Sequence, residues 1–195
     1  MSYVGVRCLN RSLLRPFGTR GFFDQLNPFH EIKTQKYVLP KIIQGTPSQV
    51  YDVVSEVSKY HEFIPYCEDS FVNERDDSNK PKVAGLRVGF KQYDERFVCD
   101  VDCKSKVSGK EVYVVRAESL SHNLFDILSS QWTISTHPTR KDASTVELLL
   151  KFKFKSRLYN SISSIFAKSV TELVMDAFAR RVYHLKKAAV LENPQ

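Results

Sequence analysis

From Tyr159 to about Leu191 the apolar residues keep a helical period for some thirty positions, and nearly everything before them reads as strand. Ile162, Ile165, Phe166, Val170, Leu173, Val174, Ala177, Phe178, Val182 and Leu185 recur at three- and four-residue steps, while Lys168, Glu172, Asp176, Arg180 and Lys187 fall mostly away from them. At 1.5 Å per residue this is a helix about 45 Å long, enough to cross a whole sheet. Immediately upstream, residues 146–156 (VELLLKFKFKS) alternate. Val146, Leu148, Leu150, Phe152 and Phe154 take one parity; Glu147, Leu149, Lys151, Lys153 and Lys155 take the other. Only Ser156 and Arg157 separate strand from helix. The helix is the one element long enough to cover a sheet face, so the apolar parity is expected to look toward it.

The rest of the chain supplies the sheet. Lys36 to Gln44 reads as a first strand whose Pro40 suggests an edge or a bulge. Thr46 as N-cap and Pro47 at the first helical position open a helix with Val50, Val53, Val54 and Val57 on one face, and a short second helix, Ser58 to Phe63, stops at Pro65. Strands are then predicted over Cys67–Glu74, Lys82–Phe90, Tyr93–Lys104, Val112–Glu118, Asp126–Ser135 and Ser144–Lys155, with turn residues between them. Consecutive strands joined by short connections predict an antiparallel meander, and helices at its ends an α+β class. A curved sheet around such a helix is expected to leave a cavity between the two rather than a solid core.

Charge is unevenly spread along the 195 residues. The net charge is +7, yet Arg7, Arg11, Arg15 and Arg20 precede the first acid, Asp24; without them 25 basic residues face 22 acidic ones. That near-balance argues against a nucleic-acid module. Residues 1–23 combine arginines at four- and five-residue steps with Ser, Thr and scattered apolar side chains, and contain no apolar core of secretory type. The pattern is that of a mitochondrial presequence, followed by a linker over 24–35, a domain over 36–191 and a tail over 192–195. Cys8, Cys67, Cys99 and Cys103 follow no metal or redox spacing. Cys99 and Cys103 share a strand face about 13 Å apart, beyond disulfide reach. No run of 18 apolar residues spans a membrane as a helix.

Little points to catalysis. His30, His61, His122, His137 and His184 make no metal pair at i, i+4, and no phosphate loop or nucleophile elbow is present. Asp100 and Asp102 alternate with Cys99, Val101 and Cys103, which places them on a solvated strand face. Tyr66, Glu95 and Arg96 are candidate polar groups near a pocket mouth. The abundant signal is apolar lining: Phe97, Cys99, Val101 and Cys103 on one strand, Trp132 and Ile134 on another, and the Leu148-to-Phe154 parity, all facing the helical stripe.

Four segments carry a resemblance to a known family: VYDVVSEVSKYHEFIPYC (50–67), ERFVCDVDC (95–103), LFDILSSQWTI (124–134) and FKFKSRLYNSISSIFAKSVTELVMDAFARR (152–181). The chain resembles the mitochondrial coenzyme Q-binding proteins of the START-like, polyketide cyclase/dehydrase superfamily over about Lys36 to Leu185. The resemblance implies a helix-grip fold, a seven-stranded antiparallel sheet around a long C-terminal helix enclosing a hydrophobic tunnel. It implies ubiquinone as the bound ligand, no catalytic cofactor, and a lipid-chaperone role in respiration and quinone synthesis at the matrix face of the inner membrane, without a reaction of its own. The expected lining is Phe63, Ile64, Tyr66, Phe90, Phe97, Val101, Phe125, Leu128, Trp132, Leu148, Leu150 and Phe152 from the first helices and sheet. From the helix it is Phe166, Val170, Leu173, Val174, Ala177 and Phe178, so that Leu173→Asp or Phe178→Asp is expected to abolish quinone retention. Membrane contact is expected through Lys151, Lys153, Lys155 and Arg157, with Phe22, Phe23 and Phe29 able to insert; the lysines also admit two plainer readings, a solvated face or protection of a sheet edge. The rival functions are a mitochondrial ribosome-associated protein of the ribosome-association toxin type and an aromatase or cyclase acting on a quinone precursor.

Overall fold

The computed structural model describes residues 33–90, 93–105, 107, 111–120, 125–156 and 160–192, with the side chains of Phe90, Tyr93, 160–167 and Glu192 outside that description. The presequence, Phe22, Phe23, Phe29 and Arg157 therefore lie outside the described residues, as do the side chains of Phe90 and Phe166. Chain order is β1 (Gln35–Gln44), α1 (Pro47–Ser55), a short 3-10 helix (Val57–Glu62), β2 (Cys67–Arg75), β3 (Pro81–Phe90), β4 (Tyr93–Lys104), β5 (Val112–Ser119), β6 (Phe125–Thr136), β7 (Ala143–Phe154) and α2 (Asn160–Glu192). Each element begins and ends within about two residues of the sequence expectation. The seven strands form one antiparallel sheet ordered β1-β7-β6-β5-β4-β3-β2.

Local chemistry explains the boundaries. Thr46 caps α1 reciprocally: its Oγ1 accepts from the Gln49 amide at 3.4 Å while Gln49 Oε1 accepts from the Thr46 amide at 3.0 Å. Pro40 sits in β1, which pairs with β7 alone and forms one edge of the sheet, so its missing N–H is tolerated. Gly85 is required by crowding: a Cβ there would stand 2.3 Å from the Phe97 carbonyl and 2.4 Å from the Phe71 ring. One expectation is corrected. The lysine comb of β7 does not protect an edge, because β7 lies between β1 and β6.

The main core forms where α1, the 3-10 helix and the later turns of α2 meet the sheet. Ile43, Val50, Val54, Ile134, Val146, Met175, Phe178 and Val182 are each 2 % exposed or less. Phe178 is the centre of it, with ring centroids 4.7 Å from Trp132 and 5.1 Å from both Tyr60 and Phe63. The Tyr60 hydroxyl donates to the Val54 carbonyl, and burial pushes its pKa well above the ordinary value. Lys41 on β1 forms an ion pair with Asp176, tying α2 to the edge strand.

Two outcomes follow. Phe178→Ala removes the ring on which three others converge and should cost about 3–5 kcal/mol, read as a lower midpoint in urea denaturation. Burial lifts the thiols of Cys67, Cys99 and Cys103 to about 11. Set against the ordinary thiol value of 9.0, this leaves about a hundredfold less thiolate at pH 8. Alkylation of these three, followed by peptide mass mapping, should lag that of an unfolded control by about that factor.

Candidate functional site

The face of the sheet that meets α2 divides into two halves with different packing. Reading inward along β7, Phe154, Phe152 and Leu150 come first, then Leu148 and Val146. Their partners on β6 are Phe125, Leu128 and Ser130, then Trp132 and Ile134. Leu148, Val146, Trp132 and Ile134 belong to the main core. Phe152 and Phe154 form a second cluster with Tyr37, Phe125, Leu128 and Leu150, of which the last four are only partly buried. The boundary falls between Leu148 and Leu150.

The second cluster is an aromatic row running across four strands. Tyr37 of β1 stacks on Phe152 at 5.8 Å and 7°, Phe154 stacks on Phe125 at 4.5 Å, and Phe125 lies 6.0 Å from Phe97 of β4. Phe125 and Leu128 are of opposite parity, yet both belong to the cluster. A bulge between Phe125 and Ile127 shifts the register by one, so that Phe125 pairs with Phe154 and Leu128 with Phe152. Polar groups border this row. Tyr37 donates its hydroxyl to Gln35 Oε1 at 2.9 Å, Ser130 pairs with Leu150, and half-buried Glu95 pairs with Val88 on the parity of Phe97.

Most sequence-predicted residues are brought together here or at its border. Phe63, Ile64, Val174 and Cys99 pack against the main core, which itself contains Val101, Trp132, Leu148 and Phe178. Ala177 is 1 % exposed and Val170 half-buried. Leu173 does not join them. It is 36 % exposed and, at 3.6 residues per turn, lies about 160° round the helix from fully buried Met175. Tyr66 is 52 % exposed, in the turn before β2 with φ of 65°, so it stands at the rim rather than in the lining. Arg96, expected near the mouth, packs over the Phe71 ring at 4.4 Å on the opposite face of the sheet. Sequence reasoning missed Tyr37 and Met175. Tyr37 shares the parity of Leu39 and Ile43, and Met175 falls three residues before Phe178, so both signals were present in the pattern.

On the outer face the lysine comb is laid out as expected. Lys151 borders a shallow depression with Arg116, Glu118, Ser129, Gln131 and Leu149, and Lys153 lies 3.9 Å from Asp126. Arg116 donates to Gln131 Oε1 at 2.9 Å. No group of three or more potential metal ligands occurs among the described residues, and no described helix is long and apolar enough to cross a membrane.

A single antiparallel sheet closed by a long helix, with a partly buried aromatic half, defines the helix-grip class of fold. Residues 43–179 match the family described as polyketide cyclase / dehydrase and lipid transport. The chain is 57% identical over 187 residues to "Coenzyme Q-binding protein COQ10, mitochondrial" of Saccharomyces cerevisiae, covering 93% of this chain and 89% of that protein. Its counterpart in Eremothecium gossypii is 56% identical over 165 residues, 84% and 80% of the two chains. Among solved structures, the Zhui aromatase/cyclase of a Streptomyces species superposes with a TM-score of 0.66 at 12% identity, over 80% of this chain and 98% of that one, which shows the fold alone. The chain belongs to the polyketide cyclase/dehydrase and lipid-transport family, within its branch of mitochondrial coenzyme Q-binding proteins. Its fold is the helix grip that the sequence resemblance implied.

The position of Leu173 makes a sharp contrast testable. Leu173→Asp, on the outward flank of α2, should shift stability by less than about 1 kcal/mol. Phe178→Asp buries an unpaired carboxylate and should leave no cooperative unfolding transition in circular dichroism.

Proposed function

We propose that this chain binds coenzyme Q and carries it to and from the mitochondrial inner membrane, without a reaction of its own. The observation that carries the reading is the divided inner face, closed by the Phe178 cluster at one half and lined by a partly open aromatic row at the other. A quinone ring is flat and electron-poor, and Tyr37, Phe125 and Phe152 offer ring faces against which it stacks. The Gln35 amide N–H and the Ser130 hydroxyl, which border that row, are the donors assigned to the quinone oxygens, with the Tyr37 hydroxyl donating to Gln35 Oε1 and so orienting that amide. The half-buried side chains of Phe97, Leu128, Leu150 and Val170 receive the ring and the first isoprene units.

The energetics suit a carrier. Removing a five-carbon isoprene unit from water is worth on the order of 4 kcal/mol. Moving it from bilayer to protein exchanges one apolar medium for another, so the net change is small and the ligand can be released. A pocket of this class holds roughly 300–1,000 Å³, less than a long polyprenyl tail needs. Part of the tail then stays in the bilayer during exchange. Lys151, Lys153 and Lys155 favour an anionic membrane surface, and the arginine-spaced leader directs the chain to the matrix, where it supports respiration and quinone synthesis.

The full chain, purified and extracted with organic solvent, should yield a quinone by absorbance and mass. Trp132 is the chain's one tryptophan and touches Phe178, so added ubiquinone should quench its fluorescence. Leu150→Trp, which fills the partly buried aromatic half, should lower quinone retention at least about tenfold with the fold kept. An empty extract together with no uptake from quinone-loaded vesicles would sink the proposal, and co-sedimentation with ribosomes at moderate salt would favour the rival reading.

A further inference from the structure

The two ends of the inner face are not equivalent, and the difference gives the molecule an orientation. One end is formed by the start of β1, the end of β7, the start of β6, the end of β5 and the start of β4, where the aromatic row lies. The other end is formed by the close of β1, the start of β7 and the last turns of α2, where Val182 approaches within 2.7 Å of a Cβ built at Gly45. Between them stands the wall of Tyr60, Phe63, Trp132 and Phe178, backed by fully buried Ile134 and Val146. Interiors packed to this degree leave no passage for a chain of isoprene width.

Among the described residues, Leu120, Tyr66 and Ile127 stand exposed at the aromatic end. Leu120 is 56 % exposed, Tyr66 52 % and Ile127 41 %. They come from separate segments, and each is held in place. The Leu120 amide donates to the Val98 carbonyl at 2.7 Å, the Tyr66 carbonyl accepts from the Gly89 amide at 3.0 Å, and Ile127 follows the bulge of β6 and pairs with Lys153. Among the described residues, lysines gather at the β1/β7 flank of this end: Lys36 pairs with Lys151 across β1 and β7, and Lys153, 3.9 Å from Asp126, and Lys155 follow on the same parity. On the β3 and β4 side, Arg87 is instead matched by Glu68 at 3.6 Å and by Asp94.

We infer that the ligand enters and leaves through the aromatic end alone, and that this end is the bilayer-docking surface, with Leu120, Tyr66 and Ile127 dipping into lipid and the β1/β7 lysines lying on anionic headgroups. The inference rests on the coenzyme Q-binding reading above. A bilayer is the occupant because the ligand's reservoir is a bilayer, and because exposed apolar tips beside the β1/β7 lysines match the layering of tails and anionic headgroups. Tyr183, Val190 and Leu191 are also exposed, but they lie in the later turns of α2, beyond Phe178 from the aromatic row.

The experiment measures long-chain ubiquinone uptake by the full chain from vesicles of phosphatidylcholine with an anionic phospholipid, followed by Trp132 quenching. The double variant Leu120→Asp/Ile127→Asp should take up quinone at least tenfold more slowly. It should still bind a short-chain ubiquinone added from solution within twofold of the unaltered chain. Tyr183→Asp/Leu191→Asp should change neither value. Normal uptake by the first variant, or slowed uptake by the second, overturns the inference while leaving quinone binding standing. Equal loss of short-chain binding in the first variant assigns these residues to the site and overturns it as well. If the unaltered chain binds neither quinone, the functional reading itself falls and takes the inference with it.

Discussion

The contact of Phe178 with Trp132, Tyr60 and Phe63 is the interaction on which the rest of the structure depends. It joins α2 to the centre of the sheet and to the short helix after α1, three parts of the chain that share no local connection. An edge-on ring pair adds roughly 0.5–1.5 kcal/mol beyond burial, so the cluster is worth more than its area. By filling one half of the inner face it leaves the other half as the place where a ligand can compete with side chains for the same surface.

That asymmetry has a functional logic. A protein that only needed stability would gain by packing the aromatic row as tightly as the Phe178 cluster. Here Tyr37, Phe125, Leu128 and Leu150 remain partly exposed, and on the proposed function the stability forgone is available to a bound quinone. On the same proposal, apolar contact suits a cargo exchanged with a bilayer, because the transfer between two apolar media nearly balances.

The pattern of alternation and helical period was a sufficient guide to the elements, since each strand buries one parity and each is bounded by turn chemistry. It was a poorer guide wherever register or phase departs from regularity. Phe125 and Leu128 could not both face inward on an ideal strand, and only the bulge reconciles them. Leu173 keeps a three- and four-residue step with its neighbours yet lies outside the covered arc, because a stripe drawn over thirty residues spans more of the helix than the sheet covers. The lysines of β7 could not be assigned to a face or an edge until β1 was seen to pair beyond it.

The sequence by itself determined the order of elements, the antiparallel sheet and the covering helix, because periodicity, caps and breakers act over a few residues and are written locally; the family followed from the resemblance of four segments. Only the tertiary structure decided which half of the inner face is tightly packed, which half stays partly buried and which apolar side chains remain exposed. Those properties depend on side chains as far apart in the chain as Tyr60, Trp132 and Phe178, or Tyr66, Leu120 and Ile127. No local pattern records that such residues meet; packing in three dimensions settles it.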